Sequence, residues 1–369
     1  MRILIFSTAY FSLVGGAEIA VREITERLPD FEFVLLTAKL KPNLPDKEKV
    51  GRVQVIRVGS GSWFDKIRLW LTGWKIARKE GNFDLVWGIM ASYGGLAALR
   101  FKKKNPKMRF LLTLQEGDSF AHIYRRAWFI WPWFKQIFTH ADHVQAISNY
   151  LKTWAKKMGA KCPVDVVPNG VKIQSAAFQS KNNEVKRVFT VSRLVEKNGV
   201  EYLIRAMKLL NDSYNQPVVL KIVGDGELKN KLEKLTIHLN LRDRTCIFEG
   251  SLPYEQVYER LKQADVFVRP SLSEGLGNSF LEAMAMNVPV IGTKVGGIPD
   301  FLENGVTGWF CDPRNPQDIA KKIQYVLDEK NKEEVAEVVV EAQKMVREKY
   351  SWEVVTEQMN KIFTSLCVS

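Results

Sequence analysis

The sequence predicts an α/β protein built of two doubly wound parallel sheets. Short β-branched runs alternate with helical stretches along most of the chain. The runs are almost continuously apolar, as parallel strands covered on both faces require. The alternation pauses once, at Asn169–Asn183, and then restarts.

In the first half the runs fall at residues 2–8, 31–38, 53–59, 83–90, 108–115, 142–148 and 164–168. Helix-like segments lie between them, including Glu18–Leu28, Lys66–Lys79 and Asn149–Gly159. After the polar pause, strands are expected near 186–192, 218–223, 245–249, 265–270, 289–293 and 307–311. The last segment, Trp352–Leu366, has helical spacing through Val355, Met359, Ile362, Phe363 and Leu366. A length of 369 residues fits two domains. The start, Met1-Arg-Ile-Leu-Ile-Phe, is broken by Ser7 and Thr8 and reads as a buried strand rather than a leader peptide.

Apolar residues make up 46% and charged residues 26%, which excludes collagen-like, disordered and disulfide-scaffold classes. Cys162, Cys246, Cys311 and Cys367 never form C-x-x-C and read as reduced thiols of a cytosolic protein. No apolar run reaches the ~18 residues of a transmembrane helix. Residues 1–172 hold 28 Lys+Arg against 14 Asp+Glu, whereas the remainder holds 26 against 27. The front half should therefore meet something anionic.

Ligands of open parallel sheets bind at the carboxyl ends of strands, so residues just after strands are the candidates. Gly15-Gly16-Ala17-Glu18 follows the first strand and opens a helix, where backbone N–H groups favour anions. It is not G-x-G-x-x-G, so a dinucleotide is not indicated. A tight strand–helix turn explains it equally well. Arg193 and Lys197 follow Arg187–Ser192 and suit a diphosphate, or else form a solvated basic turn. Glu274 and Glu282 form Glu-x7-Glu around Gly275, Gly277 and Asn278, with a helix expected over Ser279–Asn287. The amides at that helix start would face an anion.

His140-Ala-Asp-His143 lacks the i, i+4 pair and cysteine support of a metal site, so no metal is expected. Two segments interleave aromatic and basic residues. In Trp63–Lys79, Trp63, Ile67, Trp70, Trp74 and Ala77 share a stripe. Ile123–Phe138 carries Arg125, Arg126, Trp128, Trp131, Trp133 and Lys135. Both suit either an anionic membrane surface or packing on the sheet. Lys102-Lys103-Lys104 adds to the same field. Nucleic acid is excluded as partner, because no binding motif accompanies the charge.

Together the motifs resemble the retaining glycosyltransferases of family 4, from Met1 to about Phe363. The strongest part runs from Val268-Arg-Pro-Ser-Leu-Ser-Glu-Gly-Leu-Gly-Asn-Ser-Phe-Leu-Glu-Ala through Pro289-Val-Ile-Gly-Thr to Gly296-Gly-Ile-Pro-Asp300. Val167-Pro-Asn-Gly-Val171, Ser192-Arg-Leu-Val-Glu196 and Ile222-Val-Gly-Asp-Gly-Glu227 occur in the expected order.

The resemblance implies the GT-B fold, with two Rossmann-like domains facing across a cleft. It divides the chain into an acceptor-binding domain over 1–172, a nucleotide-sugar-binding domain over 173–349, and a helix over 350–369 crossing back to the first domain. It implies a metal-independent transfer of a hexose, with retention, from a UDP- or GDP-linked donor. The acceptor would be lipid-linked, polysaccharide or another envelope molecule. No cofactor is implied. Arg193 and Lys197 should contact the diphosphate, Glu282 the ribose and Glu274 the donor sugar. The amides of Gly275, Leu276, Gly277, Asn278 and Ser279 should approach sugar and phosphate. Gly250-Ser251-Leu252 should border the base, and Gly16 should sit close to the donor. Gly15, Gln115, Asp118 and His122 are acceptor-side candidates.

Three positions depart from the family pattern. Gln115 stands where relatives carry His-Asp and cannot titrate. Asn198 stands where they place lysine, and Asn287 where they place glycine. The first two motivate the alternative reading of a scaffold that binds a sugar nucleotide or a partner enzyme without turnover.

Overall fold

The computed structural model describes residues 1–11, 15–173, 184–214, 216–241 and 245–368. Most of the Asn169–Asn183 stretch lies outside the described residues. The chain divides into two compact units, Met1–Gly170 with Trp352–Ser369, and Val171–Ser351.

The first unit runs β1 (Arg2–Ser7), α1 (Gly16–Arg27), β2 (Glu32–Ala38), β3 (Lys47–Val50), β4 (Val53–Val58), α2 (Asp65–Lys79), β5 (Leu85–Ile89), α3 (Tyr93–Lys104), β6 (Arg109–Leu114), α4 (Phe120–Ala127), α5 (Trp131–Thr139), β7 (His143–Ala146), α6 (Asn149–Lys157) and β8 (Val164–Val166). The strand order is β3-β4-β2-β1-β5-β6-β7-β8. All these pairs are parallel except β3–β4. The sequence reading did not contain β3: Lys-Glu-Lys-Val carries no apolar run to announce a strand. Its charges suit an edge, where they discourage pairing with another chain. The order reverses between β1 and β5, which is where this sheet opens a crevice at its carboxyl edge.

Central strands are apolar because both faces are covered. Ile3, Leu4, Ile5 and Phe6 are wholly buried, as are Val34, Leu35 and Leu36. One covering element is the C-terminal helix, Trp352–Val368. Its Phe363 ring sits 5.0 Å from Trp87 and 5.6 Å from Phe31, while Val355 and Met359 join the same core. Truncating such an aromatic costs about 3–5 kcal/mol.

In α2 the buried face is Leu69, Gly73 and Ala77, at i, i+4, i+8, rather than the tryptophan stripe. Asp65 starts the helix and accepts the N–H groups of Ser60, Gly61 and Ser62 at 2.8 Å each. The Ile123–Phe138 stretch is broken into α4, a single turn at Trp128–Ile130, and α5. Pro132 has no N–H for a continuous helix, and it occupies the first turn of α5, where none is needed.

The second unit runs β9 (Lys186–Val191), α7 (Val200–Ser213), β10 (Val218–Val223), α8 (Lys229–His238), β11 (Cys246–Gly250), α9 (Tyr254–Leu261), β12 (Val266–Arg269), α10 (Asn278–Ala285), β13 (Val290–Thr293), β14 (Trp309–Cys311), α11 (Pro316–Leu327) and α12 (Lys332–Tyr350). Its sheet is parallel, in the order β11-β10-β9-β12-β13-β14. The reversal falls between β9 and β12. Val171 belongs to this unit because its N–H bonds the Tyr350 carbonyl at 2.8 Å, so the unit begins slightly before the boundary read from the sequence.

Candidate active site

In the second unit two loops leave the switch point, one after β9 and one after β12, and they are stitched together. The β9 loop carries Arg193 and Lys197 and turns through Glu196–Asn198 into α7. The Leu272 N–H, in the β12 loop, donates to the Lys197 carbonyl at 2.6 Å. Gly199 has φ +67, and a Cβ there would lie 2.0 Å from the Pro270 carbonyl oxygen. Only glycine combines that conformation with that approach.

Asn198 is buried, and its Nδ2 donates to the Arg193 carbonyl at 2.7 Å. Where relatives place a lysine, this chain uses an amide to close the loop. The Arg193 side chain is exposed and makes no ion pair among the described residues.

Glu274 sits in the β12 loop with its carbonyl seated against Gly296-Gly297. The Gly297 N–H donates to it at 3.2 Å, and a Cβ on Gly296, at φ +57, would meet that oxygen at 1.8 Å. Its carboxylate pairs with Arg269 and accepts the Gly275 N–H. Arg269 is 7% exposed. Its guanidinium also donates to Ser271 at 3.2 Å, to Ser279 at 2.8 Å and to the Val191 carbonyl at 3.4 Å, and lies over the Phe280 ring. A buried guanidinium needs such partners, and this set fixes the Glu274 carboxylate against the start of α10. The sequence alone gives Arg269 no role. Its position, at the end of a buried strand and ahead of a glutamate in the next loop, was the available signal.

Helix α10 begins at Asn278 with Gly277 as its cap, and Gly275, Leu276, Gly277 and Ser279 are buried around that start. Glu282 lies one turn in and is itself buried. Burial pushes its carboxyl up to about 7, against the Arg269 charge and a Tyr254 hydrogen bond. Tyr254 and Tyr258, on α9, were not singled out from the sequence. At α10's end Asn287 has φ +58, a conformation asparagine tolerates better than most residues. Its presence in place of glycine is thus a local exchange.

The loop after β11 carries Gly250, Ser251 and Leu252. The Gly250 carbonyl accepts the Gly224 N–H at 2.8 Å, beside the Ser192 N–H to Val223 carbonyl bond at 3.0 Å. The second-unit candidates therefore share one sheet edge.

The remaining candidates lie in the first unit. Gly15 caps α1, its N–H held by the Glu18 carboxylate at 2.9 Å, and Gly16 is the first helical residue. Gln115 follows β6 and its Oε1 accepts the Asn169 Nδ2 at 3.1 Å. Asp118 and the half-buried His122 lie further on, where the Ser119 hydroxyl caps α4 through the His122 N–H. In this unit the sequence gives no sign of Glu116. It is 5% exposed, its Oε1 accepts the Ala91 N–H, and its Oε2 is buried without a partner among the described residues. Burial raises its carboxyl to about 7. The neighbouring Met90 is held at φ +65, an uncommon conformation that concentrates at functional sites.

Of the two histidines in the weak metal motif, His140 is exposed, while His143 lies 3.0 Å from Asp165. No cluster of three metal-ligating side chains occurs among the described residues. All four cysteines are free thiols, and no helix among the described residues is long and apolar enough to cross a membrane.

Two family models match this chain: Glycosyltransferase Family 4 over residues 14–175 and Glycosyl transferases group 1 over residues 172–352. The chain belongs to the family 4, group 1 glycosyltransferases. It is 27% identical to an uncharacterized glycosyltransferase of Methanocaldococcus jannaschii over 366 residues, 98% of each chain. Among solved structures, sucrose-phosphate synthase from Thermosynechococcus elongatus superposes with a TM-score of 0.84 at 22% identity, over 99% of this chain and 98% of that one. Anabaena HepE in complex with UDP-glucose gives 0.79 at 18% identity, over 99% and 100%. These structural likenesses establish the fold: two Rossmann-like parallel-sheet domains of the GT-B type. This glycosyltransferase moves a sugar from a nucleotide sugar, within a retaining family.

Proposed function

We propose that the protein transfers a hexose from UDP-glucose or a related UDP- or GDP-hexose, with retention, to a lipid-linked or polysaccharide acceptor at the cytoplasmic face of a membrane. The observation that carries this reading is the stitching of the Arg193–Lys197 loop to the Glu274 loop at the β9/β12 switch point. That edge offers two cations, the start of α10 and an oriented carboxylate, as a sugar diphosphate requires. The HepE complex with UDP-glucose supports the donor class by analogy of fold.

In this reading the second unit holds the donor and the first unit the acceptor. Arg193 and Lys197 take the diphosphate, Glu282 the ribose, and the Gly250–Leu252 loop the base. Glu274 and the Gly275–Ser279 amides take the sugar. The bond from sugar C1 to the phosphate oxygen breaks while the acceptor oxygen bonds C1 on the same face. The acceptor's proton goes to the departing phosphate oxygen, and the nucleoside diphosphate leaves. Arg193 and Lys197 stabilise its growing charge, so the residues present require no metal for that step.

The membrane clause rests on surface chemistry of the first unit. Trp63, Phe64, Trp128 and Phe129 are 61%, 69%, 67% and 58% exposed. Trp70 of α2 and Trp133 of α5 meet at 6.4 Å, which joins the two aromatic-basic segments into one face. Arg68, Arg125 and Arg126 accompany it, and each basic residue near acidic lipid adds about 1 kcal/mol. Aromatic bodies with basic neighbours suit a lipid interface.

The test is a thermal-shift screen with UDP-, GDP- and ADP-sugars, followed by a transfer assay with the donor that stabilises the chain. Stabilisation by UDP-glucose and transfer abolished in Glu274→Ala and Arg193→Ala are expected. No response to any nucleotide sugar would overturn the donor reading. Equal recovery on neutral and acidic vesicles would remove the membrane clause.

A further inference from the structure

We propose that Tyr254 and Tyr258 are positioning residues that aim the Glu282 carboxylate at a nucleotide ribose, through a one-way hydroxyl relay anchored on the Lys172 backbone amide. The proposal rests on the reading of Glu282 as the ribose ligand and adds what holds it.

The Lys172 N–H donates to the Tyr258 hydroxyl oxygen at 3.3 Å. The Tyr258 and Tyr254 hydroxyls are 2.8 Å apart, and Tyr254 hydrogen-bonds Glu282. A phenol has one hydrogen to give, a backbone amide only donates, and a carboxylate only accepts. With Glu282 ionised, these limits fix every proton. Tyr254 gives its hydrogen to Glu282, so its oxygen is free to accept from Tyr258, whose oxygen accepts from Lys172. Tyr258 is 6% exposed, and burial together with the nearby Glu282 charge raises its phenol, so it stays protonated as the relay needs.

The two rings stand at i, i+4 on α9 with centroids 5.1 Å apart and planes at 85°, which restrains both. The anchor is restrained too, because the preceding Val171 N–H bonds the Tyr350 carbonyl. The relay thus runs from the start of the unit, through α9, to α10. A carboxylate accepts more than one hydrogen bond. Tyr254 can therefore fix its rotamer and leave it able to accept from a ribose diol. The tyrosine bond also favours the ionised form that such a contact needs.

The test uses the full chain with Tyr254→Phe, Tyr258→Phe and Glu282→Gln. UDP, GDP and ADP are titrated calorimetrically beside their 2′-deoxy forms. The wild-type chain should prefer the ribonucleotide it binds, and Glu282→Gln should lose that preference. Tyr254→Phe should weaken the ribonucleotide about tenfold, as for loss of a charged hydrogen bond, while the 2′-deoxy form changes less than about twofold. Tyr258→Phe should act in the same direction and less. If Glu282→Gln loses the preference but Tyr254→Phe keeps it, the relay is wrong and Glu282 stands. If Glu282→Gln keeps it, the ribose reading falls and takes the relay with it. Equal weakening of both nucleotide forms by Tyr254→Phe would mark a purely structural role and overturn the proposal. So would the absence of nucleotide binding by the wild-type chain.

Discussion

In the first unit the strand order reverses between β1 and β5, and in the second between β9 and β12. Both reversals open a crevice at the carboxyl edge, yet they are furnished differently. At the second, Arg269 ties Glu274 to Ser271, Ser279 and Val191, while Tyr254 hydrogen-bonds Glu282. At the first, the buried carboxyl of Glu116 is met by backbone amides, Ala91 foremost, and by no cation among the described residues. The first unit instead places its distinctive chemistry outside, on α2, α4 and α5. The contrast teaches that one topology supports two strategies. A rigid polar cradle suits a fixed charged ligand, whereas an apolar, basic flank suits an extended or lipidic one.

The comparison breaks most easily at Arg269. Arg269→Met leaves Glu274 without its cation in a partly buried loop. A loss of about 3–5 kcal/mol in urea denaturation is expected, with partial rescue in the Arg269→Met, Glu274→Gln double variant. The matching cut in the first unit, Glu116→Gln, should cost less than about 1 kcal/mol at pH 7, because no charged partner is stranded. Equal losses would mean that the two edges are not different in kind.

Next comes Glu274→Gln, which keeps shape and removes charge. We expect the transfer rate to fall about 10²–10³-fold, as for removal of a transition-state electrostatic contact, with a drop in melting temperature smaller than that of Arg269→Met, because Ser271, Ser279 and the Val191 carbonyl still accept from the buried guanidinium. A rate within a few-fold of wild type would take Glu274 out of the reaction.

A third effect is shared by both units. Glu116 and Glu282 each rise from 4.5 to about 7 through burial. Such a group keeps its proton in the folded chain after the unfolded chain has released it. Its stability contribution is therefore full below about pH 4.5 and is lost as pH rises to about 7. Each amounts to about 3 kcal/mol by the ordinary conversion. Denaturation midpoints between pH 4.5 and 8 should fall in wild type and fall less in Glu116→Gln and Glu282→Gln. Donor affinity should run the other way, strengthening as Glu282 ionises, and should be flat in Glu282→Gln. A pH-independent wild-type affinity would separate Glu282 from donor binding.

The smallest effect concerns the outer face. Trp128→Ala and Phe129→Ala should each weaken binding to acidic vesicles several-fold, on the scale of about 1–2 kcal/mol for partial burial of an aromatic. UDP-glucose affinity should not change. Loss of both activities together would show that the face is part of the fold instead.

Strand positions were legible because each run is short, apolar and bounded by polar turns. The edge strand β3 was not, since Lys-Glu-Lys-Val carries no apolar alternation, although the strand's exposure does alternate in the structure. The motif residues Arg193, Lys197, Glu274 and Glu282 were legible as neighbours because each follows a strand or opens the next helix, which places them at the carboxyl edge of the sheet. Arg269, Tyr254, Tyr258 and Glu116 were not, because their roles depend on groups distant in sequence. Asn198 was read as a departure from a lysine, and the structure shows it closing its own loop through the Arg193 carbonyl.

The sequence by itself determined the alternation of strands and helices, the tandem sheets and the asymmetry of charge, all of which follow from local periodicity and composition. Only the tertiary structure decided the strand orders, and with them which loops meet at each switch point. It also decided that the Arg269 guanidinium meets Glu274 and that α9 lends Tyr254 to Glu282. The physical reason is that a buried charge or phenol must find partners in space, and the order in which strands pair sets which partners lie within reach.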